Sequence, residues 1–125
     1  MLFRSAAHMR KGINDHADYA RVNLNFWITP AEAVLDPTTG GLKVYDVPPL
    51  AGWTGRDYNS DEQAPAIYKF LDGAGARAVT VPHRCNRAVL FNSALFHETD
   101  EIHFKPGYLN RRINVTYLFG RGLPV

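Results

Sequence analysis

The chain has 125 residues, a length suited to one domain, and its 46% hydrophobic and 21% charged residues exclude a disordered polymer. Fourteen Lys and Arg against twelve Asp and Glu leave a net charge of +2, too small to hold nucleic acid or an anionic membrane by bulk electrostatics. The single cysteine, Cys85, excludes an intramolecular disulfide and a cysteine-only zinc site, and no apolar run nears the roughly 18 residues of a membrane span. The opening Met1-Leu2-Phe3-Arg4 meets a charge at once, unlike a secretory signal, so a cytoplasmic location is expected.

Leu2 to Met9 reads as an edge strand. From Ala20 to Thr29, Val22, Leu24, Phe26 and Ile28 alternate with Asn23, Asn25 and Trp27, the period of a strand with one apolar and one mixed face. Thr29-Pro30-Ala31-Glu32 has the pattern of a capping box opening a short helical turn. Asp36 to Gly41 is a turn by composition, and Leu42 to Val47 alternates again. Pro48 to Asn59 is a loop carrying Trp53 and Tyr58. A helix is expected over about Asp61–Asp72, with Ile67, Phe70 and Leu71 on one side and Gly73 as its left-handed cap. Arg77–Val81 and Arg87–Asn92 read as strands around the turn Pro82 to Asn86. Ile102 to Lys105 reads as a short strand, and Arg111–Phe119 as a long one closed by Gly120. Many short strands around one inserted helix predict a mainly β protein, an antiparallel sandwich or jelly roll.

Three groups of residues could carry chemistry. His16 and Asp18 share one face of an extended segment, where an imidazole and a carboxylate can meet one metal, although such a tripeptide also suits a polar turn. His97 follows an apolar strand, either as a metal ligand or as a satisfied histidine of the core or rim. On the late strand, Arg112, Asn114 and Thr116 share a face, and Ile113, Val115 and Tyr117 form an apolar face suited to a core. An inward guanidinium needs an anion, and a carboxylate is its bidentate match. A solvent-facing Arg112 is the alternative, and Arg111 offers the same charge on the opposite face. Two histidines and one carboxylate with open positions make the facial triad of non-haem Fe(II) oxygenases.

In this order and spacing, His16-x-Asp18, His97 and Arg112 resemble the signature of the Fe(II)/2-oxoglutarate-dependent dioxygenase superfamily. Gly40-Gly41-Leu42 is similar to the Gly-Gly-Leu that opens a strand in many members. Arg112-x-Asn114-x-Thr116 resembles the late-strand motif of the nucleic-acid and protein demethylase branch, but Leu118 stands where that branch often has a second Arg. The likeness runs from about Gly12 to Arg121 and is greatest to uncharacterised bacterial members. It implies a double-stranded β-helix, cupin-like, with a single domain over 1–125 and its core over 12–121. It implies Fe(II) on His16, Asp18 and His97, with O2 at an open position. It implies 2-oxoglutarate as co-substrate, with its far carboxylate on Arg112 and added hydrogen bonds from Asn114 or Thr116. The implied reaction is oxidative decarboxylation to succinate and CO2, coupled to hydroxylation of a small molecule or side chain.

Asn25 and Trp27 lie on the mixed face after His-x-Asp and are candidates to line the pocket, with plain core packing the favoured reading for Trp27. Tyr45, Trp53 and Tyr58 are rim candidates. His8, His83 and His103 are placed outside the site, with His103 the first substitute ligand to test. Members usually carry further strands and helices before His-x-Asp, so this chain reads as a minimal or N-terminally truncated core, and an exposed edge would favour a homodimer. The rival readings are a cupin-like metalloprotein of another reaction class and a non-catalytic ligand-binding β-domain. Arg77, Arg84, Arg87, Arg111 and Arg112 are spread over several segments rather than in one basic stripe, which speaks against nucleic acid.

Overall fold

The computed structural model describes the backbone of residues 2–5 and the whole of residues 16–121. The protein is mainly β. Its strands are β1 (Leu2–Ser5), β2 (Val22–Trp27), β3 (Leu42–Tyr45), β4 (Ala78–Val81), β5 (Arg87–Asn92), β6 (His97–Thr99) and β7 (Arg112–Phe119). They form two antiparallel sheets. One has four strands in the order β1-β7-β2-β5, and the other has three in the order β4-β3-β6. An antiparallel bridge between His16 and His97 adds a further position beside β6. No hydrogen-bonded ladder joins the two sheets into a closed barrel among the described residues.

The apolar core is not where the strand pattern places it. In β2 the buried residues are Asn23, Asn25 and Trp27, and in β7 they are Arg112 and Asn114. Ile113, Val115 and Tyr117 therefore turn away from the interior, and Tyr117 is half exposed. The space between the sheets is a polar pocket. The main hydrophobic cluster lies elsewhere, with Ala17, Tyr58, Ile67, Leu71 and Phe96 buried and Trp53, Phe70, Tyr45 and Val47 packed against them. Trp53, Phe70 and Phe96 contact one another edge-on or tilted, at ring separations of 5.2 to 6.3 Å.

Ile67 and Leu71 come from the expected helix. It starts as a 3-10 turn over Asp61–Gln63 and continues as α2 (Ala64–Gly73), after the short α1 (Gly55–Tyr58). Pro65 sits in the first turn of α2, where its missing N–H costs nothing. The left-handed cap falls on Gly75 (φ +62°) rather than Gly73, and the Gly75 and Ala76 N–H groups close back on Asp72 and Leu71.

Several other expectations are corrected. Pro48–Asn59 is not wholly loop, because α1 lies inside it. The Thr29 capping box does not form. Thr29 Oγ1 instead donates to the Arg111 carbonyl and accepts the Ile113 N–H, tying the end of β2 to β7. The reciprocal bonding lies at Thr54, whose N–H and hydroxyl both donate to the Asp57 carboxylate while the Asp57 N–H donates back to the Thr54 carbonyl. Ile102–Lys105 is not a strand, and only Phe104 bridges, to Val34. The strand there is β6, five residues earlier. Of the expected edge strand over 2–9, Leu2–Ser5 pairs with β7, and residues 6–9 lie outside the described residues. No helix is long and apolar enough to cross a membrane.

Candidate metal centre

The bridge that joins residues 16 and 97 builds the site. The His16 N–H donates to the His97 carbonyl at 3.1 Å and the His97 N–H returns the bond to His16 at 2.9 Å, so two histidines 81 positions apart become neighbours. Their rings lie 4.3 Å apart. Asp18 is on the same face as His16, while Ala17 between them points into the apolar cluster beneath α2. His16 Nε2 is 3.9 Å and His97 Nε2 3.3 Å from Asp18 Oδ2. His16, Asp18 and His97 form a group able to hold a metal ion, with ligand atoms all within 4.8 Å of one another.

The chemistry of these donors fits a cation. His97 Nδ1 lies 2.8 Å from the Leu95 carbonyl, which can only accept, so Nδ1 carries the proton. In the neutral ring, Nε2 then offers a lone pair to a carboxylate oxygen that also has only lone pairs. Either a second proton on the ring, which makes it a charged donor to Asp18, or a metal ion in that proton's place resolves the contact. Donors on one face of an octahedral ion lie about 3 Å apart, so the 3.3 Å pair is nearly in place, while His16, 3.9 Å from Asp18 in a group bounded at 4.8 Å, must move closer.

Burial pushes the Asp18 carboxyl up. The bond and charge of His97, the charge of His16 and a bond from Asn59 outweigh it and hold the group below the usual carboxylate value. Asp18 is therefore anionic at neutral pH. Asn59 Nδ2 donates to Asp18 Oδ1 at 3.0 Å and to the Ala17 carbonyl at 2.9 Å, which anchors the segment after α1 over the ligand.

The pocket has a cavity volume of about 50 Å³ and is lined by the triad together with Asn25, Leu42, Arg112 and Thr116 among others. Arg112 is 2% exposed. It donates to the carbonyls of Gly40 (2.5 Å) and Gly41 (3.1 Å) and to Asn114 Oδ1 (2.9 Å), and its guanidinium lies 5.8 Å over the Trp27 ring. No carboxylate pairs with it among the described residues, and burial lowers its pKa to about 10. A guanidinium has five N–H groups, so the three bonds leave two for a ligand.

The two glycines make this cradle. A Cβ on Gly41 would lie 1.8 Å from the Val81 carbonyl oxygen, and Gly40 takes φ +76°. Arg111 is excluded as the inward cation, because it lies over the exposed Tyr108 ring at 5.3 Å.

Asn25 and Thr116 line the pocket as well. Asn114 also reaches it, but both its N–H groups go to Asn25 and Thr116 and its oxygen accepts from Arg112, so it holds the arginine rather than a ligand. Trp27 does not line the pocket. It is fully buried and stacks on His83 at 5.6 Å. Tyr45 lies on the opposite face of β3, where its hydroxyl and that of Tyr68 donate to the buried Glu98. Trp53 and Tyr58 belong to the apolar cluster. His103 pairs with Glu101 outside the centre, and His83 bonds the Thr29 carbonyl. His8 lies outside the described residues.

Sequence reasoning missed Asn23 and Asn59. The alternation of Asn23 with Asn25 was the available signal for the first, and nothing in the sequence marked the second. No protein-family model matches this chain, and neither a curated protein nor a solved structure matches it.

Proposed function

We propose that this chain is an Fe(II)- and 2-oxoglutarate-dependent oxygenase that hydroxylates a small molecule or side chain. The observation that carries the reading is one pocket holding both a His-Asp-His group and a buried guanidinium with no carboxylate partner among the described residues. A buried unpaired charge is costly, and an anionic ligand relieves that cost. The strand order supports the double-stranded β-helix reading. Two antiparallel sheets of four positions each result once His16 is counted beside β6.

On this reading His16, Asp18 and His97 hold the iron, and Arg112 binds the far carboxylate of 2-oxoglutarate through its two remaining N–H groups. Bound there, Fe(II) supplies activation of O2 coupled to decarboxylation of 2-oxoglutarate to succinate and CO2. The protein orients the co-substrate from its anionic end and presents the metal face of the pocket to the substrate. Leu118 and Leu42 make part of that lining apolar.

The test is release of CO2 from carboxyl-labelled 2-oxoglutarate with Fe(II) and ascorbate. Slow release without added substrate is expected from the wild type and none from His97→Ala. Equal release from both would remove the assignment.

A further inference from the structure

Between the buried arginine and the metal-ligating carboxylate runs an unbroken row of side-chain amides. Arg112 donates to Asn114 Oδ1 (2.9 Å), Asn114 Nδ2 to Asn25 Oδ1 (2.9 Å), Asn25 Nδ2 to Asn23 Oδ1 (2.7 Å), and Asn23 Nδ2 to Asp18 Oδ2 (3.3 Å). All three asparagines are at most 5% exposed. The register of β2 and β7 sets Asn25 opposite Thr116 and Trp27 opposite Asn114, so the row crosses the sheet diagonally.

The direction of the row is determined by its ends. A guanidinium can only donate and a carboxylate can only accept. Turning any one amide over would set two N–H groups or two oxygens against each other. Every dipole therefore points the same way, from the positive end to the negative one, and each bond polarises the next.

We propose that Asn23, Asn25 and Asn114 form a one-way amide ladder, its polarity set by Arg112, that makes Asn23 a positioning residue of the metal centre by holding its N–H against Asp18. This rests on the metal-centre reading above. The consequence is that residues with no contact to the metal ligands govern metal affinity. Partners that orient a ligand carboxylate commonly change metal affinity about 10- to 100-fold.

Asn114→Asp tests it from the far end. The aspartate keeps the shape, pairs with Arg112 and cannot donate to Asn25. Asn25 then turns its N–H towards residue 114, Asn23 turns towards Asn25, and the Asn23 oxygen faces Asp18. Asn25→Asp reverses the last link in the same way from the middle of the row. Both changes add negative charge near a cation site, so simple electrostatics predicts tighter metal binding. The ladder predicts the opposite sign.

The measurement is Mn(II) affinity of the full chain, read from the EPR signal of free Mn(II), with the Co(II) absorption spectrum as a report on ligand geometry and circular dichroism to confirm folding. The expected result is at least about tenfold weaker Mn(II) binding and a changed Co(II) spectrum in whichever of the two variants folds. Unchanged or tighter binding overturns the ladder. Failure of the wild type to bind Mn(II) in a way that His97→Ala abolishes overturns the metal centre itself, and the ladder with it.

Discussion

Arg112 makes the most demanding contact set of any residue in the pocket. Three of its bonds go to the protein and two N–H groups remain. Arg112→Lys keeps the charge, but an ammonium has only three N–H groups, all of which the carbonyls of Gly40 and Gly41 and the Asn114 oxygen can take. Two charge-assisted bonds to a ligand carboxylate are lost, worth about 1.5–3 kcal/mol each. We expect 2-oxoglutarate affinity, measured by calorimetry on the Mn(II)-loaded protein, to fall at least about a hundredfold, and an unchanged affinity would place the carboxylate elsewhere. That Arg112 shares one face with Asn114 and Thr116 was legible in the alternation of the late strand, but not that this face is the buried one. Its distinction from Arg111 was not legible either, because alternation fixes which residues share a face and not which face is buried.

At the scale of elements, the close approach of β3 and β4 depends on Gly41. An added methyl would meet the Val81 carbonyl at 1.8 Å and the backbone at Pro82 and His83 at 2.8 Å. Backbone cannot swing aside as a side chain can. Gly41→Ala should cost about 2–3 kcal/mol and lower Tm by roughly 10 °C, seen in thermal unfolding. A loss below about 0.5 kcal/mol, ordinary for a surface site, would mean the strands part easily.

The helix and five of the strands, β2, β3, β4, β5 and β7, were legible from period and punctuation, and β1 in part. Strand β6 was not. His97-Glu98-Thr99 has no apolar alternation, because all three residues are buried for different reasons. His97 faces the metal site, Glu98 meets the hydroxyls of Tyr45 and Tyr68 on the other face, and Thr99 lines the pocket. In β2 and β7 the polar face turned out to be the inner one. A strand that lines a polar pocket reverses the usual sign of its pattern, and the sequence alone carries no marker of that reversal.

At the scale of the molecule, a buried histidine makes stability respond to acid. His83 is 5% exposed and sits between Trp27 and Phe104. Burial lowers its pKa, and the charges of Arg112 and Arg87 lower it further, against an opposing pull from the Thr29 carbonyl. Below about pH 6.5 the unfolded chain gains a proton there that the folded chain refuses. Stability therefore falls as pH drops below that value and stops falling only at the lower folded pKa. His83→Phe should make the decline in urea midpoint between pH 7.5 and 5.5 shallower, and an equal slope in both proteins would show that His83 titrates normally.

Acid acts on the metal as well. Ligand histidines bind only when neutral, so Mn(II) affinity should fall as pH is lowered from neutrality. Affinity unchanged down to pH 5 would argue against a centre of two histidines.

The most direct test of the account is an anaerobic titration of the chain with Fe(II) and 2-oxoglutarate, followed by visible absorption. The account predicts a weak charge-transfer band from the chelated complex in the wild type and its loss in His97→Ala. A folded wild-type sample that gives no band would contradict it, leaving a β-domain whose polar pocket serves another ligand.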